Sequence, residues 1–372
     1  MLGINLLWGE KTWKKPSFYL QQKKNTLLLW KTFSIMRMIG GKRMVSIKDV
    51  AKHAGVAIST VSKVLNNYPN VSAQTREKVN KAIEELGFVP NAAASMLSSK
   101  QAGRIAMLIN LDDQTQAVDE INMQYLFGAL TQAKEMNLDI ITVFFSMIKD
   151  MSAEEIARYF QSQSITGIII CGLNKENKVL HKLIESQRFK IVIIDAPMTN
   201  ESTSSVWIDN EKAQYDVAKK TIIDNKCKRV LYIAGKKKGY ITQERINGMK
   251  RLAEELKLSL LIKNGEFSEL KAREITFRYA KNKDIVVCAS DLMAIGAMNA
   301  LTEMDIFRPV CGFDGITLMG YVGKQMNTVR QNFARVSSEA VKELDCLMNG
   351  GTGRNIVLDY TLVRIEYKDI IC

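Results

Sequence analysis

Histidine is nearly absent from this sequence, with His53 and His181 the whole supply in 372 residues. Catalysis that relies on imidazole therefore has little to draw on, and no glycine loop followed by Lys-Ser or Lys-Thr is present to cradle a nucleotide phosphate. Cysteine is sparse and scattered. Cys171, Cys227, Cys288, Cys311, Cys346 and Cys372 form no Cys-x-x-Cys pair, which argues against a zinc site or a disulfide framework and for buried, inert thiols in a reducing cytoplasm. No apolar run approaches the roughly 18 to 20 residues of a membrane-spanning helix. The sequence thus gives no ground to expect an enzyme, a metal, another cofactor or a membrane partner.

What is present is enough chain for two or three domains, with 47% apolar and 24% charged residues, an ordinary balance for a globular protein. The net charge of +13 is unevenly spread. Residues 1–43 hold nine Lys and Arg against the single acid Glu10, residues 44–103 hold seven basic side chains against four acidic, and the remaining 269 residues keep a net charge of only +2. Affinity for an acidic partner such as nucleic acid has to come from the front of the chain.

Residues 1–43 show no sustained periodicity and no domain-like pattern, and no small-residue cleavage site follows the short apolar run at Thr26 to Trp30. Gly40-Gly41-Lys42-Arg43 directly before Met44 is what a purine-rich ribosome-binding sequence spells when translated in frame. We expect Met44 to be the true start and 1–43 a disordered, mis-assigned extension; the competing reading is a basic arm that touches DNA.

Residues 44–90 pack three short helical patterns into fewer than fifty positions. Ser46 with Asp49 is a capping-box variant, Ile47, Val50, Ala51 and Ala54 recur at helical spacing, and Gly55 ends the first helix. On a second helix, Ile58 to Leu65, the inward positions are Val61, Val64 and Leu65, which leaves Ser59, Thr60, Ser62 and Lys63 outside; a small polar face of this kind can enter a DNA major groove. After a turn-rich break, Ser72 caps a third helix, Ala73 to Leu86, and Gly87 closes it.

These residues carry a resemblance. The run I-K-D-V-A-K-H-A-G-V-A-I-S-T-V-S-K-V-L-N, then V-S-x-x-T-R-x-K-V and G-F-V-P-N, resembles the DNA-reading head of the lac repressor family over more than forty consecutive positions. The resemblance implies base-reading positions at Ile58, Ser59 and Lys63. It puts Ser62, Asn66, Ser72 and Thr75 where the family touches phosphate or caps helices near it. Lys63 stands where the family often has arginine, and an ammonium cannot make the same planar bidentate contact to guanine.

The following segment, 91–103, is alanine-rich and too short for a stable isolated helix. The resemblance makes it a hinge helix, with Asn91, Ala94 and Leu97 in matching positions and Leu97 as the side chain wedged into the minor groove of operator DNA.

From Arg104 short apolar runs alternate with amphipathic patterns, the signature of parallel sheet. Strands are predicted at Ile105 to Ile109, Ile140 to Phe145, Gly167 to Cys171, Ile191 to Ile194, Arg229 to Ile233 and Ile285 to Cys288. Helices are predicted at Gln124 to Met136, Glu154 to Gln161, Lys212 to Asp224, Glu244 to Leu256 and Leu292 to Met304. The expected fold is a small all-α helix-turn-helix head plus an α/β two-lobed periplasmic-binding-protein-like domain over 104–372. Effector-binding candidates are Arg245 in R-I-N-G, Asp291 in A-S-D-L-M, Asp314 in C-G-F-D-G, Gln331 and Phe333 in R-Q-N-F, Asp195 closing a strand and Phe267, able to stack on a sugar ring. Gly235-Lys236-Lys237-Lys238-Gly239 reads either as a solvated loop or as a site favouring a phosphorylated sugar.

The resemblance implies a repressor of carbohydrate-utilisation genes that binds double-stranded operator DNA as a homodimer, with a sugar or sugar phosphate as inducer or corepressor. A protein coeffector is the alternative. A sugar-binding transport protein would share the large fold but needs no DNA-reading head.

Overall fold

The computed structural model describes residues 45–65, 68, 70–88, 103–110, 119–317 and 325–365. The chain divides between Gln101 and Ala102 into two compact units. In the first, α1 (Ile47–Ala54), α2 (Ile58–Leu65) and α3 (Ala73–Leu86) enclose Val50, Ala51, Val61, Val64, Val79, Ala82 and Phe88. Local chemistry sets each boundary. The Ser46 amide and hydroxyl both donate to Asp49 Oδ2, at 2.8 and 2.6 Å, so one carboxylate closes the first turn of α1. That helix stops where Gly55 takes φ +65° and donates its N–H to Ala51 O; a residue with a side chain would lose about 1–2 kcal/mol there. The Thr75 amide donates to Ser72 Oγ at 3.3 Å to cap α3.

The second unit is two α/β lobes. Lobe 1 opens with β1 (Arg104–Ile109), α4 (Asp119–Glu135), β2 (Asp139–Phe144), α5 (Ala153–Ser162), β3 (Ile165–Cys171), α6 (Lys178–Glu185), β4 (Lys190–Ile194) and β5 (Thr203–Ile208). The chain then builds lobe 2 from α7 (Asn210–Asp224), β6 (Arg229–Ala234), α8 (Tyr240–Glu255), β7 (Ser259–Asn264), α9 (Glu269–Tyr279), β8 (Ile285–Cys288), α10 (Asp291–Glu303), β9 (Val310–Cys311) and β10 (Met326–Arg330). It returns to lobe 1 for α11 (Phe333–Met348) and β11 (Asn355–Leu358), and ends in lobe 2 with β12 (Thr361–Ile365).

Among the described residues each lobe holds a six-stranded sheet, ordered β11-β5-β4-β3-β1-β2 and β12-β10-β9-β8-β6-β7. Every pairing is parallel except β10 with β12. Strands covered on both faces need no polar side, which is why Ile168, Ile169 and Ile170 can follow one another, each fully buried. The chain crosses between sheets three times, after β5, β10 and β11. The expected strands and helices are all present, with the same bounds at Ile58–Leu65, Ala73–Leu86 and Ile285–Cys288 and shifted ends elsewhere; β5, β7, β9 to β12 and α11 were not anticipated by sequence pattern. One expectation fails: Cys346 is exposed on α11, whereas Cys171, Cys227, Cys288 and Cys311 are buried. Cys372 lies outside the described residues.

Candidate functional site

Two polar surfaces qualify, one in each unit. In the head, burying Val61 and Val64 fixes the rotation of α2 and turns Ile58, Ser59 and Lys63 into solvent, with Thr60 and Ser62 half-buried beside them. Ser72 is exposed at the start of α3, its hydroxyl 2.8 Å from that of half-buried Thr75. His53 Nε2 lies 2.7 Å from Glu85 Oε2 and ties α1 to α3 behind this surface. Asn66, Asn91, Ala94 and Leu97 fall outside the described residues.

The second surface lies between the lobes, at the carboxyl ends of the strands, where open α/β sheets hold ligands. From lobe 1, Asp195 follows β4 with φ +63°, and the Tyr125 hydroxyl on α4 donates to its Oδ2 at 2.9 Å. From lobe 2 comes Arg245, only 2% exposed. Its Nε donates to Asn210 Oδ1 at 2.9 Å and its Nη1 to the Ala289 carbonyl at 2.5 Å. The guanidinium also stacks 3.5 Å from the centre of the Phe313 ring and stands 3.8 Å from Asp314 Oδ1. Asp314, at φ +121°, accepts a 3.3 Å bond from Gln331 Nε2. Two acids of the set are thus held in sparsely populated backbone conformations, the kind of strain that collects at binding sites.

Electrostatically the cleft is rich in acid. Burial pushes the Asp195 carboxyl above its ordinary range, against the opposing pull of Tyr125 and Arg245. Burial likewise raises Asp314, with Arg245 opposing and Asp195 adding to the shift. Glu244, next to Arg245 on α8, is pushed up to about 7 by burial and by the neighbouring charges of Asp195 and Asp209, and its Oε2 is buried without a hydrogen-bond partner. Sequence reasoning missed Glu244, Tyr125 and Asn210. Only adjacency to Arg245 could have pointed to the first, and nothing local pointed to the others.

Three predicted residues are placed differently from the rest. Asp291 is completely buried: Oδ2 accepts from the Gly315 and Ile316 amides at 2.7 and 3.0 Å, and Oδ1 from Thr328 Oγ1 at 2.7 Å. Its carboxylate shapes the turn that presents Asp314. Phe333 is 3% exposed and meets Tyr125 edge-on, centroids 5.4 Å apart, so it braces Tyr125 with no open face. Phe267, half-buried at φ +60°, lies over Gly235, where any Cβ would come within 2.1 Å of the ring.

The lysine loop is a strap across the mouth of the cleft. Lys175 N–H of lobe 1 donates to Lys238 O at 3.1 Å, Asn174 and Gly239 form an isolated antiparallel bridge, and Lys175 Nζ sits 5.5 Å from the Tyr240 ring. A second contact joins the lobes where the Thr317 amide donates to Glu120 at 2.8 and 3.1 Å. Among the described residues no group of His, Cys, Asp and Glu could hold a metal ion, and no helix is long and apolar enough to cross a membrane.

Comparison with known proteins agrees with both units. The family of bacterial regulatory proteins described as lacI matches residues 46–91, and a periplasmic binding protein-like domain matches residues 220–364. The HTH-type transcriptional regulator MalR of Clostridium butyricum is 26% identical over 345 residues, 86% of this chain and 98% of the relative. The HTH-type transcriptional repressor PurR of Vibrio vulnificus is 28% identical over 312 residues, 81% of this chain and 91% of the relative. In fold, the chain is similar to a lac repressor dimer bound to operator and the anti-inducer ONPF (TM-score 0.74, 22% identity, 87% of this chain and 99% of that one). It is also similar to the CelR–cellobiose complex (TM-score 0.62, 24% identity, 86% and 99%).

Proposed function

Because this chain belongs to the lacI family of bacterial regulatory proteins and is a DNA-binding transcriptional regulator, we propose that it represses carbohydrate-utilisation genes under the control of a sugar or sugar phosphate held between its lobes. The observation that carries the reading is the set of hydrogen-bonding groups drawn from both lobes: Asp195 with Tyr125 on one side, Arg245, Glu244, Asp314 and Gln331 on the other. A ligand bearing many hydroxyls can satisfy both sides at once and thereby favour one arrangement of the lobes. Coupling of this kind is typically worth about 1–3 kcal/mol. That CelR is found as a cellobiose complex supports carbohydrate as the ligand class.

In this reading, translation starts at Met44, residues 44–90 are the head, 91–103 the hinge and 104–372 the effector and dimerisation domain. Ile58, Ser59, Thr60 and Lys63 face base edges, Ser62, Asn66, Ser72 and Thr75 the DNA backbone, and Asn91, Ala94 and Leu97 the minor groove. Asp195, Arg245, Asp314 and Gln331 contact the effector with Phe267 beside them, while Asp291 and Phe333 act through Asp314 and Tyr125. The protein acts in the cytoplasm as a homodimer. Met123, Phe127 and Leu130, at 61%, 69% and 48% exposure, share one face of α4, an apolar stripe suited to a second copy; two heads related by a twofold axis would match a near-palindromic operator.

The test is a thermal-shift screen of the full chain against neutral and phosphorylated sugars, followed by operator binding with and without the hit. A ligand at 100 times its Kd adds about 2.7 kcal/mol to the native state. A melting shift that also changes salt-dependent operator affinity is the expected result; a shift with no effect on DNA binding would sink the regulatory reading.

A further inference from the structure

Between the lobes, Asp195 from lobe 1 and Glu244 and Asp314 from lobe 2 share the guanidinium of Arg245. That cation is already engaged. It donates to Asn210 and to the Ala289 carbonyl, stacks on the Phe313 ring and stands 3.8 Å from Asp314. Glu244, near the start of α8, is left with Oε2 buried and no hydrogen-bond partner. Burial raises its carboxyl to about 7, the charges of Asp195, Asp209 and Glu211 push the same way, and Arg245 alone opposes them. Lys237 and Lys238 stand exposed on the strap, where water and salt screen them. Thr242, on the same helix and 1% exposed, also holds its Oγ1 buried without a partner. Two such oxygens close together in one helix call for donors from outside the chain.

Charge separates the classes of donor. A water molecule would serve Thr242 but would leave the acids repelling one another, and so would an uncharged sugar. A phosphate would add negative charge to a set that already has more acid than base. An ammonium group both donates to Glu244 and offsets that excess, in a charge-assisted bond of the stronger kind. We propose that the effector is a carbohydrate bearing a protonated amino group, with the amine paired to Glu244 and the hydroxyls shared among Asp195, Asp314 and Gln331. This rests on reading the cleft as an effector site and names the class of ligand it selects; Glu244 is the specificity-determining residue.

The test is a thermal-shift and calorimetric comparison on the full chain. The probes are glucosamine, galactosamine and the β-1,4-linked glucosamine dimer, each beside its N-acetylated and its neutral counterpart, with glucose 6-phosphate as the anion. An amino sugar should bind at least tenfold more tightly than either counterpart, because acetylation keeps the ring and removes the charge. Its affinity should rise about fivefold from pH 6 to pH 7, as the carboxyl that gives up its proton to the incoming cation becomes half ionised. Glu244→Gln should bind amino and neutral sugars alike and lose this pH dependence, with its unliganded melting curve reporting whether it folds. The wild-type pH profile stands without the variant. Equal affinity for an amino sugar and its neutral counterpart, or a preference for glucose 6-phosphate, would overturn the proposal and leave the cleft an effector site. So would amino-sugar binding that Glu244→Gln leaves unchanged. No shift with any probe would overturn both the proposal and the reading of the cleft beneath it.

Discussion

On α2 the side chains proposed to read DNA stand in solvent, Ile58 at 45% exposure with Ser59 and Lys63 beside it, whereas in the cleft Arg245 is 2% exposed and already bonded to Asn210 and Ala289. The head displaces only water and ions when it binds, and its own fold, set by Val61, Val64 and their neighbours, has no reason to change. In the proposed effector site a ligand would have to displace hydrogen bonds that the protein makes to itself. Binding there is therefore tied to how the lobes are held, and the same chemistry that recognises a ligand can transmit its presence. A reader works best as a rigid surface, and a sensor as a set of bonds that can be traded.

Arg245→Ala should break this contrast hardest. It leaves Asn210 Oδ1 and the Ala289 carbonyl without their buried donor, at a cost of about 3 kcal/mol in all, and removes the ligand-induced melting shift; urea unfolding of the full chain measures the first and the thermal screen the second. Lys63→Ala should do the reverse. Operator affinity should fall by about 1–3 kcal/mol while the melting temperature stays put, as gel shifts at two salt concentrations and a melting curve would show; a large melting change would mean that α2 is not the rigid reader described here.

Acidity sharpens the comparison further. Glu244, with a folded-state value near 7, and Asp314, shifted the same way, hold protons that the unfolded chain has already lost above the ordinary carboxylate range. Stability should therefore decline as pH rises from that range through about 7 and then level off. The slope should flatten in a Glu244→Gln, Asp314→Asn double variant, as chemical denaturation across pH would reveal. The smallest effect belongs to the exposed lysines of the strap. Lys237→Ala with Lys238→Ala should change stability by no more than about 0.5 kcal/mol, since lobe 1 grips this loop through backbone atoms. Only a phosphorylated ligand should lose its melting shift in that variant; loss of a neutral sugar's shift as well would place the lysines inside the sugar site.

The head was legible in the sequence because everything that defines it is close by: Ser46 meets Asp49 within one turn, and its core draws on residues 50 to 88. The strands Ile168 to Ile170 and Ile191 to Ile194 announce themselves by unbroken apolar runs. Strand β5 does not, because it begins Thr203-Ser204-Ser205. Those serines are tolerated inside lobe 1 only because Ser204 donates to Glu343, 139 positions away, at 2.7 Å and Ser205 to Ala196 O at 2.8 Å. The cleft divides the same way. Arg245 and Asp314 sit in short recognisable strings, but Tyr125 reaches Asp195 across 70 residues. No string distinguishes Asp314, which faces Arg245, from Asp291, whose oxygens are occupied by Gly315, Ile316 and Thr328.

The second crossing between the sheets bears on the order in which this molecule can be made. Lobe 1 receives α11, whose Val336, Ala340 and Leu344 pack in one cluster with Ile105, Met107 and Ile169, and then β11 beside β5. A ribosome that has translated as far as Arg330 has supplied neither, although it finished β5 more than a hundred residues earlier. Folding that proceeds from the N-terminus can close the head's contacts, all within residues 45–88, long before lobe 1 has its last helix and edge strand. Both lobes reach completion nearly together, at the end of synthesis. A message broken between residues 90 and 358 therefore yields a complete head joined to an incomplete lobe 1.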